Sequence, residues 1–168
     1  MRKWIVAAGL VMVLAVLNGM VWQKEKTLRE GTTVLLKLAP VDPRSLMQGD
    51  YMALNYEIAR QVPSGPAARS SGKLVLMPDP DGVAQFVRVH GGEAPSPGEI
   101  LLAYKHREGI RLGAESFFFQ EGQAALYARA VYGELRVDPE GNSVLVGLRD
   151  KDRKPMGRPG DKGEFGAP

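Results

Sequence analysis

An uncharged run of 19 residues, WIVAAGLVMVLAVLNGMVW, extends from Trp4 to Trp22 near the start of the 168-residue chain. Asn18 carries the only strongly polar side chain in the run. A helix of this length rises about 30 Å, which matches the hydrocarbon core of a bilayer. Tryptophan rings at both ends suit the boundary between lipid and water. The run therefore predicts a transmembrane helix over about residues 4–22, with membrane lipid around it.

A cleaved secretory signal is the first competing interpretation of this run. Such a signal has an apolar stretch of about 7 to 15 residues and a cleavage site of small residues. Here the run is longer, and it leads into Met20–Gln23 without small residues at a cleavage spacing. The second competitor, a buried core helix, would need protein on every side. We expect residues 1–30 to form a retained anchor and a charged connector, with Gly31 ending any continuation of the helix.

Charge is unevenly distributed along the chain. Residues 1–30 hold five of the 22 basic and two of the 19 acidic residues, so the remainder has 17 of each. A neutral domain does not indicate nucleic-acid binding. Basic residues flank the apolar run on both sides, so charge alone gives no orientation. A short amino-terminal tail before a long domain is typical of a signal anchor, which places the domain outside the cytoplasm. The absence of cysteine excludes disulfides, thiolate metal sites and a cysteine nucleophile.

Alternating apolar residues predict strands after Gly31. Residues 32–38 alternate, and the following segment PVDPRSL holds two prolines and reads as a turn. Alternation resumes after Asp50, where the side chains expected to face the core are Met52, Leu54, Tyr56 and Ile58.

Turn sequences between apolar runs predict three hairpins. They are KLVLM and VAQFVRV around PDPDG, EILLAYKHREGIRLG closed at Glu108-Gly109, and ELRVD and SVLVGLRD around PEGN. Phe117 to Phe119 read as a buried strand, and the residues from Ala125 to Gly133 as a short helix ended by its glycine. The predicted fold class is α+β, mainly β, over residues 31–150, followed by a disordered polar tail at 151–168.

Residues Gly49 to Tyr56, GDYMALNY, satisfy the pattern G-D-Y-x-x-L-x-Y at every fixed position. The amino-terminal anchor, the Pro-Val-Asp-Pro approach, the FFFQEG segment and the closing hairpin are also in the corresponding order. On these features the chain resembles the bacterial GDYXXLXY protein family. The resemblance implies a membrane-tethered protein with its domain on the periplasmic side of the inner membrane, often encoded with multi-spanning membrane proteins. It supplies no catalytic residues and no cofactor.

The motif residues have structural interpretations of their own. Gly49 suits a turn, and the Asp50 carboxylate suits hydrogen bonds from nearby backbone amides. Leu54 and Tyr56 fall on the core face. Tyr51 falls on the opposite, polar face, where an aromatic ring is either structural or a contact residue.

A membrane-anchored Ser/Lys hydrolase resembling signal peptidases is the alternative function. Ser45 would be its nucleophile and Lys105 its base, which would require burial of the lysine. Against it, Ser45 stands too close to Gly49-Asp50, and Lys105 lies among charged residues. His90 and His106 are two scattered histidines without a constellation of carboxylates nearby, and they do not specify a metal site. We therefore expect a non-enzymatic interaction domain without cofactor or metal, whose partner is another integral membrane protein.

Overall fold

The computed structural model describes residues 2–39, 51–63, 70–107 and 109–157. Its elements in chain order are helix α1 (Arg2–Glu30), strands β1 (Thr32–Lys37) and β2 (Tyr51–Ala53), a 3-10 turn (Glu57–Arg60), strands β3 (Ser71–Pro78), β4 (Ala84–Val89), β5 (Ile100–His106), β6 (Ile110–Arg111) and β7 (Ser116–Phe118), helix α2 (Ala124–Tyr127), and strands β8 (Tyr132–Val137) and β9 (Ser143–Arg149). An amino-terminal helix followed by a mainly β region confirms the predicted fold class.

Helix α1 is 29 residues long and extends about 44 Å. Its segment Val6–Glu30 is long and apolar enough to cross a membrane, with a window of mean hydropathy 1.8 that is not buried in the protein. The Asn18 amide donates to the carbonyl of Leu14 at 2.8 Å, so this polar group is satisfied within the helix. The helix ends at Glu30 as predicted, and glycine is required at the next position because a Cβ at Gly31 would clash with the carbonyl oxygen of Thr27.

The last turns of α1 are docked on the β8–β9 hairpin. Thr27 is only 2% exposed, and its hydroxyl donates to the Asp138 carboxylate at 3.0 Å. Lys24 Nζ donates to the carbonyl of Ser143 at 3.3 Å, and the Arg136 guanidinium donates to the carbonyl of Gly31 at 2.8 Å. The connector thus continues the helix and fixes it to the domain.

The Asp138 carboxylate also closes the turn between β8 and β9, accepting hydrogen bonds from the backbone and side-chain amides of Asn142. Burial acts to raise the pKa of Asp138, but the hydrogen bonds from Asn142 and Thr27 outweigh it and hold the pKa below its usual range. The charged form of Asp138 is therefore the one that supports the docking of α1.

The described part of the domain forms three antiparallel sheets, in the orders β1-β8-β9, β4-β3-β5-β6 and β2-β7. The first two approach each other where the backbone amide of Leu35 donates to the carbonyl of Gly82 at 2.9 Å. Leucines from both sheets form the inaccessible centre of the core: Leu36, Leu74, Leu76, Leu102, Leu135 and Leu148. All three predicted hairpins are present, as β3–β4, β5–β6 and β8–β9.

Two local predictions around the aromatic segment need correction. Helix α2 spans only four residues, and Gly133 lies inside β8 instead of ending the helix. The reason is tertiary, because a Cβ at Gly133 would lie 3.1 Å from the Tyr56 ring. Phe118 is 59% exposed, since alternation along β7 turns it away from its buried neighbour Phe117.

The segment after β9 begins with a defined turn. The Asp150 carboxylate accepts backbone hydrogen bonds from Asp152 and Lys154, and Met156 packs partly buried against the core. The rest of the predicted tail, residues 158–168, lies outside the described residues.

Candidate functional site

The strand that carries the sequence motif pairs with β7, and the 3-10 turn that follows it contacts β1 of one larger sheet and β6 of the other. Gly49 and Asp50 are outside the described residues, so the roles predicted for them stay predictions. Tyr51 opens β2, which pairs antiparallel with β7, and Leu54 and Tyr56 follow the strand. Met52, Leu54, Tyr56 and Ile58 are each 3% exposed. The alternation places these four side chains in the core, although the segment turns into a 3-10 turn at Glu57.

Tyr56 connects the motif to two distant segments. Its hydroxyl donates to the carbonyl of Ala114 at 2.6 Å, and its ring lies against Gly133 of β8. Burial, reinforced by the negative charge of Glu115, raises the pKa of Tyr56 far above its ordinary value. The hydroxyl therefore stays protonated and keeps donating. This arrangement is that of a core tyrosine whose hydroxyl is used for a structural hydrogen bond.

A short segment before β7 supports the motif, and the sequence patterns did not indicate its role. The backbone amide of Leu54 donates to the carbonyl of Glu115 at 2.7 Å. The Glu115 carboxylate in turn accepts from the backbone amides of Leu112 and Gly113. Gly113 has φ +82, a conformation that glycine adopts freely. The sequence pattern that could have predicted this turn is Gly113 followed two residues later by Glu115.

Tyr51 and Phe118 form an aromatic pair on the outer face of the β2–β7 sheet. They are direct cross-strand partners with ring centroids 5.7 Å apart. Tyr51 is half-buried, and Phe118 is the more exposed of the two rings. On the opposite face of β7, Phe117 packs edge-on against Tyr127 at 4.9 Å. We call Tyr51 and Phe118 the aromatic patch.

The residues of the hydrolase alternative do not come together in the described part of the chain. Lys105 is exposed on β5, with Ser71 and Arg111 as its cross-strand neighbours, and Ser45 lies outside the described residues. His90 follows β4 and His106 ends β5. Among the described residues, no group of three or more histidine, aspartate and glutamate side chains is arranged to hold a metal ion.

The comparison with protein families agrees with the fold and the motif. The profile of the family described as GDYXXLXY protein matches residues 13–148. The chain belongs to the GDYXXLXY family. The matched range begins inside α1 and ends in β9, so it includes part of the apolar helix together with the domain. Neither the search of curated proteins nor the search of solved structures gave a match.

Within this GDYXXLXY protein the motif contributes side chains both to the core and to the outer surface of the domain. Leu54 and Tyr56 hold the strand in the core, whereas Tyr51 contributes to an exposed aromatic surface. Six of the eight motif residues are described, and they fix the strand in the core while presenting the Tyr51 ring outward.

Proposed function

We propose that this GDYXXLXY protein is a single-pass membrane protein whose β-rich domain is a non-enzymatic interaction module for another integral membrane protein. The domain lies on the periplasmic side of the bacterial inner membrane. The observation that carries the proposal is helix α1, which is apolar over a membrane-spanning length, unburied in the protein, and docked to the domain at its last turns.

The docking of α1 supports an accessory role because it limits how far the domain can swing. A domain on a flexible tether would sample many orientations above the bilayer. Here contacts from Lys24, Thr27 and Gly31 to the β8–β9 hairpin hold the domain in one orientation relative to the helix. The domain therefore presents a fixed surface to a neighbour in the same membrane.

The aromatic patch is the contact surface we assign to the partner. Exposed aromatic rings are enriched at the centres of protein interfaces, where they supply a large contact area at low entropic cost. Membership of the GDYXXLXY family adds the expectation that this partner spans the membrane several times.

Orientation can be tested directly because the chain contains no cysteine. A single Lys151→Cys change places one thiol on the exposed surface of the domain. A membrane-impermeant maleimide should label this variant in intact spheroplasts. Labelling that requires lysis would place the domain in the cytoplasm and refute the proposed location.

The partner surface can be tested by copurification of the full-length protein in mild detergent. The double variant Tyr51→Ser, Phe118→Ser should lose an integral membrane protein that the unchanged chain retains. Val87→Ser is the matched control, since Val87 is 46% exposed on β4, in a different sheet. Equal retention by both variants would show that the aromatic patch is not the contact.

A further inference from the structure

A cavity of about 1060 Å³ lies where the end of α1 meets the domain. Its walls come from three places: Lys24 of α1, the start of β9 at Asn142 and Ser143, and one face of β3, β5 and β6. The β8–β9 turn closes one side, where the backbone amide of Ala103 donates to the carbonyl of Gly141 at 2.8 Å.

The lining of this cavity is strongly cationic. Among the described residues it includes Lys24, Lys73, Lys105, Arg107 and Arg111, against a single carboxylate, that of Glu115. The carboxylate is already engaged by two backbone amides of its own turn. Within the described residues, the four cations contributed by the sheet have no acidic group within ion-pair distance. Their charge is therefore available to an anion from outside the protein.

Strand register explains why these cations converge. Lys105 pairs with Ser71 on β3 and with Arg111 on β6, so the three side chains form a row across the sheet. Lys73 lies two residues beyond Ser71 and therefore on the same face. Lys105 and Arg111 are direct cross-strand neighbours, and like charges in that position destabilise a sheet unless an anion neutralises them.

The cavity also lies at a defined level relative to the bilayer. Lys24 follows Trp22, the residue that marks the end of the apolar run, by two residues. Two helical residues rise about 3 Å, whereas the headgroup layer on each side of a bilayer is roughly 5–7 Å thick. The docking of Thr27 on Asp138 fixes this level. The opening beside Lys24 is therefore within reach of lipid headgroups.

We propose that this cavity binds the phosphate headgroup of an anionic phospholipid, such as phosphatidylglycerol. The guanidinium groups of Arg107 and Arg111 suit bidentate contacts with phosphate oxygens, and the lysines supply compact positive charges. Basic pockets between membrane helices on the cytoplasmic side bind anionic headgroups, and we extend the same electrostatic attraction to anionic headgroups of the periplasmic leaflet. The site is separate from the aromatic patch, so it holds whether or not the domain has a protein partner.

The test uses the full-length protein in a neutral detergent. Native mass spectrometry measures binding of short-chain phosphatidylglycerol, with short-chain phosphatidylcholine and inorganic phosphate as the comparison probes. The variant Lys73→Gln, Lys105→Gln, Arg111→Gln removes three charges from the cavity. The matched control, Arg129→Gln, Lys151→Gln, Lys154→Gln, removes three charges from exposed positions that do not line it.

We expect phosphatidylglycerol to bind the unchanged chain more tightly than phosphatidylcholine. Each positive charge near an anionic headgroup tightens binding about fivefold. The cavity variant removes three such charges and should therefore weaken phosphatidylglycerol binding on the order of 100-fold. The control variant should bind as the unchanged chain does. If circular dichroism shows that the triple variant is misfolded, Lys105→Gln and Arg111→Gln are measured singly, each with an expected loss of about fivefold.

Equal loss in the cavity and control variants would show only general charge attraction and overturn the proposal. Inorganic phosphate that binds as tightly as phosphatidylglycerol, or displaces it, would identify the cavity as a site for soluble anions and also overturn it. Equal binding of phosphatidylglycerol and phosphatidylcholine would show that the cavity does not recognise the anionic headgroup, and it would also overturn the proposal.

Discussion

The change Tyr56→Phe removes one oxygen atom from the centre of the motif and keeps the ring. In the unchanged protein the Tyr56 hydroxyl donates to the carbonyl of Ala114, and both residues are buried, at 3% and 6% exposure. Without the hydroxyl, the Ala114 carbonyl stays in the core with one donor fewer. The ring contact with Gly133 is unaffected, so the change isolates the hydrogen bond.

An unsatisfied buried acceptor costs about 1–3 kcal/mol of unfolding free energy. For a domain of roughly 120 residues, each kcal/mol lowers the melting temperature by about 4 °C. We therefore expect Tyr56→Phe to melt about 4–12 °C below the unchanged protein. The matched control is Tyr51→Phe, which removes a hydroxyl from a half-buried ring on the outer face and should stay within about 2 °C.

Alkaline pH gives this prediction a second readout. The pKa of Tyr56 is raised in the folded protein, whereas an unfolded tyrosine ionises near pH 10. The contribution of the Tyr56 hydroxyl to the free energy of unfolding is therefore fully present below about pH 10. It is lost as the pH rises further, because only the unfolded state releases the proton. The difference in melting temperature between the unchanged protein and Tyr56→Phe should narrow above pH 10.

The assay is thermal unfolding of the full-length protein in detergent, followed by circular dichroism at pH 7 and at pH 10.5. A Tyr56→Phe variant that melts with the unchanged protein at pH 7 would refute the structural role of the hydroxyl. Loss of partner copurification in such a variant would then make Tyr56 a functional residue.

Three further changes test other parts of the account. Gly133→Ala places a Cβ 3.1 Å from the Tyr56 ring and should destabilise the domain by about 1–3 kcal/mol in the same melts; a neutral result would contradict the close packing. Asp138→Ala should release the last turn of α1, seen as faster amide hydrogen exchange at Thr27. Because the pKa of Asp138 is lowered, its contribution to the docking of α1 is present above about pH 4 and is lost as the pH falls through the folded value, so the exchange rates of variant and unchanged chain should converge there. Ser45→Ala should leave partner copurification and any cellular phenotype intact, and abolition of either would revive the hydrolase interpretation.

Local sequence patterns were sufficient for the hairpins. The segments PDPDG and PEGN combine a proline, an acidic residue and a glycine between alternating strands, and the acidic side chains of Asp79 and Asp138 cap the turns as such residues do. The period of two also placed Leu54 and Tyr56 inward, because one face of a strand shares one environment.

Contacts between segments distant in sequence explain what the patterns missed. Gly133 looked like the end of a helix, because the tyrosine ring that requires a glycine there is 77 positions earlier in the chain. The charged connector contained no signal that Thr27 would be buried against Asp138. The cationic cavity likewise depends on strand register, which brings Lys73, Lys105 and Arg111 together although each looks like an ordinary exposed residue in the sequence.

The most direct test of the proposed function is photocrosslinking in living cells. A photoreactive amino acid replaces Phe118 in the full-length protein, and crosslinked products are purified under denaturing conditions and identified by mass spectrometry. The same amino acid at Val87 is the control, because this side chain is also exposed but lies in a different sheet. The account predicts one recurrent multi-spanning membrane protein captured from position 118 and absent from position 87. The same products from both positions, or many unrelated exported proteins from position 118, would contradict it.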